Sequence, residues 1–491
     1  MSNFKRDRQR EIKSTQIRMT IDSSWIAAFK EESPNSFTKT IPFRPIAAFC
    51  DGQIRLMRGH TDDFMTWDMY IWQQFHAHIK KFYDNHKVST VILAFDDYAH
   101  VPEAKCMTQL KRRRHLPKLE ILEREPLPSF CPSGERWDQC IANRTFKSKV
   151  IAMVIERLPN ILQLKEGQSL IIDYAGCPKE FRAGDSGVQV RDLPALVPLG
   201  EADVKFTRYA DLFKDLLVDS VDGDSIPIAL LHHEACIKDL TMGSMLEDDL
   251  IEAPPRICIY RMTTKVDKET PKEPKKESKK RKAGPHPSMP ENAEGEEKQV
   301  KEKFKRTFEY VDIPQLYSAI REVFAQSMGR MQSPTHSQHL MSMLLALIGL
   351  TGTDFTRNMP QLSGRGVFGY LPDLYLPLMR SYDPISGQLD VDSATDRLVA
   401  CIYATKYATH IKAPPASLHH VFETLHHSKL SQRTRDSLPS VGRIVCTVRN
   451  VNWLLKYWRE PTCVPSPLSQ EAGVPTFGFV KRKGVVAYSF E

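Results

Sequence analysis

The chain has no long apolar stretch, no paired-cysteine motif and no leader-like start. Its longest apolar run, LMSMLLALIGL at 340–350, falls well short of the roughly 20 residues that a membrane span requires. The opening MSNFKRDRQREIKS is charged throughout and leads into no apolar core region, so no secretory signal is expected there. Ten cysteines are scattered without one CxxC pair. That argues against a zinc ribbon or a disulfide framework and for a reducing compartment, with most thiols acting as small buried apolar groups. A soluble, non-secreted protein with no membrane partner is the expectation.

What the chain does have is length and a mild basic bias. Its 491 residues exceed what a single core comfortably holds, so one large domain with insertions, or two domains, is expected. A net charge of +8 suits a polyanionic partner without requiring one. One sharp break divides the chain. Residues 263–305 are dense in Lys, Glu and Pro with almost no large apolar side chain, and read as a disordered linker or loop. Within it, PKKESKKRK (274–282) is either a cluster read by a nuclear import receptor or a plain solvated charge run. The first reading would put the protein in the nucleus, the second leaves it in the cytoplasm.

Before the break, continuous apolar runs alternate with helical periodicity. QIRMTID (16–22), STVILAFDD (89–97), QSLIIDYAG (168–176) and LLVDSVDGD (216–224) have the character of central parallel strands buried on both faces. Segments 67–84 and 146–162 carry apolar residues at helical spacing between them. The alternation predicts an α/β domain with a mainly parallel sheet flanked by helices. After the break the pattern turns mostly helical, from 313–328 through 396–411.

Three of those strands end in aspartate: Asp22, Asp96 with Asp97, and Asp222 with Asp224. In open α/β sheets ligands sit beyond the carboxyl ends of the strands, so these acids are expected to line one crevice. If the last strand stays extended through 224, Asp222 and Asp224 share a face and Asp219 lies opposite. Glu201 and Asp203 sit where a helix would begin. So many carboxylates together call for cations, and an all-oxygen, histidine-free set suits two Mg²⁺ or Mn²⁺ ions about 4 Å apart, the arrangement used in phosphodiester hydrolysis.

The ordered segments TIDSS (20–24), AFDDYAHVPEAKCMTQLKRRR (94–114), LGEADVK (199–205), DSVDGDS (219–225) and LTGTDF (350–355) resemble those of flap endonucleases and related structure-specific nucleases of the PIN-like superfamily. The resemblance implies a PIN-like domain over 1–262 with an arch insertion at about 100–145. The 263–305 linker would follow, then a region at 306–412 completing the nuclease with a helix-two-turn-helix-like element, and a helical extension at 413–491 ending in a hairpin. It implies that Asp22, Asp96, Glu201, Asp203, Asp222, Asp224 and Asp354 hold the metals, and that Lys105 and Arg112, seven residues apart on one helical face, contact the scissile phosphate. Lys111, Arg113 and Arg114 would meet a single strand in the arch, and Gly364 and Gly366 would form a phosphate-facing turn. The implied activity is cleavage of branched or single-strand-bearing DNA by a monomer. RNA cleavage, or a silent module that binds nucleic acid and recruits partners, are the alternatives.

Departures mark a divergent member: FDD in place of the usual F-D-G, Ala28 where a base-stacking tyrosine is common, and no lysine after GRGVFGY. Asp51, in FRPIAAFCDGQIRLMRG (43–59), reads as part of a hairpin turn and a weaker candidate than Asp22. The pairs His419–His420 and His426–His427 read as surface histidines.

Overall fold

The computed structural model describes residues 24–97, 101, 126–185, 187–197, 199–220, 223–243, 253–267, 303–328, 339–353, 356, 359, 364–411, 417–459, 470–471, 474–475, 477–482 and 485–488. Of the residues singled out above, Asp22, Lys105, Lys111, Arg112, Arg113, Arg114, Asp222 and Asp354 lie outside that set, as does the basic cluster at 274–282.

A mixed sheet organises the chain. Five parallel strands form its centre, in the order β8 (Arg256–Asp267), β7 (Asp215–Asp219), β2 (Ala47–Asp51), β3 (Thr90–Ala94), β4 (Ser169–Asp173). Antiparallel strands widen both edges: β5 (Lys179–Gly184) and β6 (Gly187–Asp192) beyond β4, and β9 (Lys303–Asp312) with the short β1 (Phe37–Thr38) beyond β8. β8 and β9 enter the charged segment from its two ends, so residues 263–267 and 303–305 are strand.

The alternation of strand side chains divides the interior into two cores. Phe49, Ile92, Ile171, Val218 and Ile259 point to one face, together with helices Ser24–Glu32, Ala202–Phe213, Ser225–Gly243, Ile313–Met328 and the C-terminal helices. Cys50, Leu93, Ile172, Leu217 and Cys258 point to the other, under the helical run Trp67–His86 and helix Arg144–Leu162. Both faces are covered, which is why these strands are apolar without interruption. No helix among the described residues is long and apolar enough to cross a membrane.

Two strand expectations need correction. The segment around Asp51 is not a hairpin: AAFCD is β2, buried at all five positions and paired in parallel with β3 and β7. Gly52 does not make a turn but opens helix Gly52–Leu56, where a Cβ would stand 2.6 Å from Phe95 Cε1 and 2.9 Å from the Ala94 carbonyl oxygen. Gly52→Ala is therefore expected to cost about 1–3 kcal/mol in urea unfolding through overpacking of β2 on β3. The second correction concerns the strand expected over 216–224, which ends at Asp219; Gly223 and Asp224 form the turn into helix Ser225–Gly243. Asp219 is thus the strand-end acid, and Asp224 lies in a turn beyond the strand and not on an extended segment. Ser220 has already left the strand, its N–H donating to the Tyr260 carbonyl across the edge.

The helical half follows its periodicity closely. Helix Ile313–Met328 spans the expected residues, and Phe479–Arg482 pairs with Val485–Tyr488 in a terminal hairpin. His419, His420, His426 and His427 are all exposed on helix Leu418–His427. Gly364 and Gly366 stand in the first turn of helix Gly364–Ser381, so the backbone there is helical and not a glycine loop.

Candidate metal centre

All four of β2, β3, β4 and β7 deliver an acid at or just past their carboxyl ends: Asp51, Asp96, Asp173 and Asp219. The chain runs from β2 to β3 on one side and later returns to β7 on the other, so this edge holds the reversal of strand order where α/β sheets open a crevice. The four acids divide into two kinds.

Asp173 and Asp219 carry their own cations. Lys205 Nζ lies 3.0 Å from Asp173 Oδ1, with both side chains fully buried, and Tyr209 donates to Oδ2 at 3.0 Å. Arg55 Nη2 and His78 Nε2 lie 2.9 and 2.6 Å from Asp219 Oδ2. Burial alone would push the Asp219 carboxyl up, but His78 and then Arg55 more than reverse this and hold it below the usual range. Cys50, His78 and Asp219 bring their ligand atoms together, yet Arg55 Nη2 is 2.8 Å from His78 Nε2, so a guanidinium already fills the place a metal would take.

Asp51 and Asp96 have no such partner among the described residues. Among the described residues neither makes an ion pair with Lys, Arg or His, although their exposures are only 6% and 9%. Asp51 Oδ1 accepts from the Gln53 N–H at 2.7 Å and Asp96 Oδ1 from the Ala202 N–H at 3.0 Å. The latter bond joins β3 to helix Ala202–Phe213, which begins with Glu201 as N-cap and Asp203 in its first turn. Two further bonds fix that junction: Asp97 N–H to the Gly200 carbonyl at 2.9 Å, and Lys205 Nζ to the Phe95 carbonyl at 2.9 Å. Helix formation here thus brings Glu201 and Asp203 to the ends of β2 and β3.

Electrostatics register the crowding. The Asp51 carboxyl is raised to about 7, first by burial and then by the charge of Asp96, against the pull of the Gln53 and Ile54 amides and a hydrogen bond shared with Asp203. Tyr457, from helix Val441–Arg459, donates its hydroxyl to Glu201 Oε2 at 3.0 Å. Burial, then Glu201, Asp203 and Asp96, hold that phenol protonated. No local signal marks Tyr457 in the sequence, because its partner lies 256 residues away.

A carboxyl raised in the folded state binds its proton more tightly than in the unfolded chain. The stability this gives is complete below the ordinary value of 3.8 and is lost as pH rises through about 7. In EDTA the protein is therefore expected to lose roughly 2–4 kcal/mol between about pH 4 and about pH 8 through this group. Urea unfolding across that range should show the slope in the wild type and lack most of it in Asp51→Asn.

No family model matches the chain, and no curated protein matches it either. The chemistry of the site rests on its own residues. Asp51, Asp96, Glu201 and Asp203, the first two buried beside one another without a cationic partner among the described residues, make a donor set of oxygens alone, suited to a hard divalent ion. Among the described residues no three of their carboxylates bring oxygens within 4.8 Å of one another. Of the residues expected from sequence, Asp96, Glu201 and Asp203 meet here. Asp51, set aside as a turn residue, joins them.

Proposed function

We propose that this protein is a divalent-metal-dependent phosphodiesterase of the flap-endonuclease-like, PIN-like type, cutting branched or single-strand-bearing DNA. Asp51, Asp96, Glu201 and Asp203 are its described metal-binding acids, with Asp51 taking the role first assigned to Asp22. The observation that carries the reading is the contrast between neighbouring strand ends. Asp173 and Asp219 are neutralised from within, while Asp51 and Asp96 are buried together with no cationic partner among the described residues. Holding adjacent carboxylates in low dielectric without compensation is unfavourable, and a structure retains it where a bound cation completes the site.

Mg²⁺ or Mn²⁺ bound there would polarise the phosphate and lower the pKa of an attacking water. The chain's own part is to fix the oxygens. The Ala202 amide aims Asp96, the Gln53 amide aims Asp51, and Tyr457 holds Glu201. The mildly basic chain, at +8, suits a polyanionic substrate.

The test is a substrate panel: labelled flap DNA, duplex DNA and single-stranded RNA, each with Mg²⁺ or EDTA. Cleavage of flap DNA that needs Mg²⁺ is the expected result. Cutting confined to RNA would reassign the substrate, and no metal-dependent cutting of any of the three would remove the enzyme reading.

A further inference from the structure

A second cluster lies on the outer surface of the same helices and differs in kind, because it contains sulfur and nitrogen. His232 and Cys236 stand four residues apart on helix Ser225–Gly243 and so share a face. Asp211 reaches them from the end of helix Ala202–Phe213. His232 Nε2 is 3.1 Å from Asp211 Oδ1, Cys236 Sγ is 3.8 Å from Asp211 Oδ1, and Cys236 Sγ is 3.7 Å from His232 Nε2. With Zn–N, Zn–O and Zn–S bonds of about 2.0–2.3 Å, a tetrahedral zinc ion spaces such ligands about 3.3–3.7 Å apart, close to the triangle found here. Unlike the Cys50–His78–Asp219 group, no described guanidinium or ammonium stands within the triangle. Asp211 carries its negative charge near a helix C-terminus, where the dipole disfavours it; the His232 imidazole pairs with it there, and a zinc ion would take that role by displacing the proton between them.

We propose that Asp211, His232 and Cys236 form a zinc site that staples helix Ala202–Phe213 to helix Ser225–Gly243. The two helices begin at the carboxyl-end edge of the sheet, with Glu201 and Asp203 at the start of one and Asp224 just ahead of the other. The triangle sits eight residues beyond Asp203, about 12 Å along the helix at 1.5 Å per residue, so it is separate from the catalytic acids. Asp211 is 59% exposed, which leaves the fourth position open to water. The neighbouring His233 takes no part, since its ring packs 5.1 Å from that of Tyr317.

The proposal is independent of the nuclease reading, and its readout is spectroscopic. EDTA-treated full-length protein titrated with Co²⁺ should show one equivalent bound with a thiolate charge-transfer band and the strong visible bands of tetrahedral cobalt, displaced by Zn²⁺. Cys236→Ser should abolish the charge-transfer band and weaken Zn²⁺ binding by more than about 100-fold, beyond what a change outside the ligand set costs. Cys177→Ser, at an exposed thiol elsewhere, should keep both. In the wild type, Zn²⁺ should protect Cys236 from alkylation and leave Cys177 reactive, read by peptide mass spectrometry without relying on a variant. Absence of a thiolate band, or alkylation of Cys236 unchanged by Zn²⁺, would overturn the proposal.

Discussion

Exchanging Asp51 and Asp96 together for asparagine is expected to lower metal-dependent cleavage by at least ~10³-fold, with the chain still folded and, in EDTA above about pH 7, more stable than the wild type. The two effects have one cause. Burial, and then the charge of Asp96, raise Asp51 to about 7 at the ends of β2 and β3, and a bound cation offsets both by giving the carboxylates a partner. Asparagine keeps the shape and removes the charge. The amides of Gln53 and Ala202 still find an acceptor oxygen. A variant that loses activity through misfolding would be less stable, so opposite signs for activity and stability identify a metal site. Asp219→Asn is the contrasting control: it leaves Arg55 and His78 without their acid and is expected to lower stability while leaving metal affinity within about threefold.

Lys205→Met is expected to destabilise the protein by about 3–5 kcal/mol, the largest effect on stability of any single change considered. The ammonium is fully buried and bridges the Asp173 carboxylate and the Phe95 carbonyl. Methionine fills the volume but leaves the Asp173 carboxylate in an apolar interior with, among the described residues, the Tyr209 hydroxyl as its remaining side-chain hydrogen-bond partner. Changing Asp173 to Asn in the same chain should recover most of the loss, because the unpaired charge, not the packing, carries the cost. The Phe95 carbonyl belongs to the segment that presents Asp96, so Lys205→Met should also weaken metal binding. Urea unfolding of the single and double variants measures this. A loss below about 1 kcal/mol, or a double variant no better than the single, would contradict it.

How far the sequence announces this site depends on how local each signal is. Asp96 and the pair Glu201 with Asp203 are legible, because a run such as VILAF ending in acids, and an acidic pair opening a helical pattern, are contiguous features. Asp51 is not, because AAFC is short, has no β-branched residue, and stands between Pro45 and Gly52, which together look like a turn. Its central position comes from pairing with Thr90–Ala94 and Leu216–Asp219, contacts that no local pattern encodes. The same limit explains Asp219. The run LLVDSVDGD shows acids but not that Arg55 and His78 arrive from elsewhere to neutralise the first of them. Tyr457 belongs to a helix legible as amphipathic, yet its hydroxyl acquires meaning only from Glu201, brought beside it by folding.

The central claim is that Asp51 and Asp96 hold a divalent cation, and calorimetric titration with Mn²⁺ at several pH values tests it most directly. Binding must displace the proton that the raised Asp51 carboxyl retains. Affinity should therefore climb about tenfold per pH unit below about pH 7, level off above it, and release about one proton in the lower range. Asp51→Asn combined with Asp96→Asn should abolish that binding. Mn²⁺ affinity that is independent of pH and equal in the double variant would contradict the account.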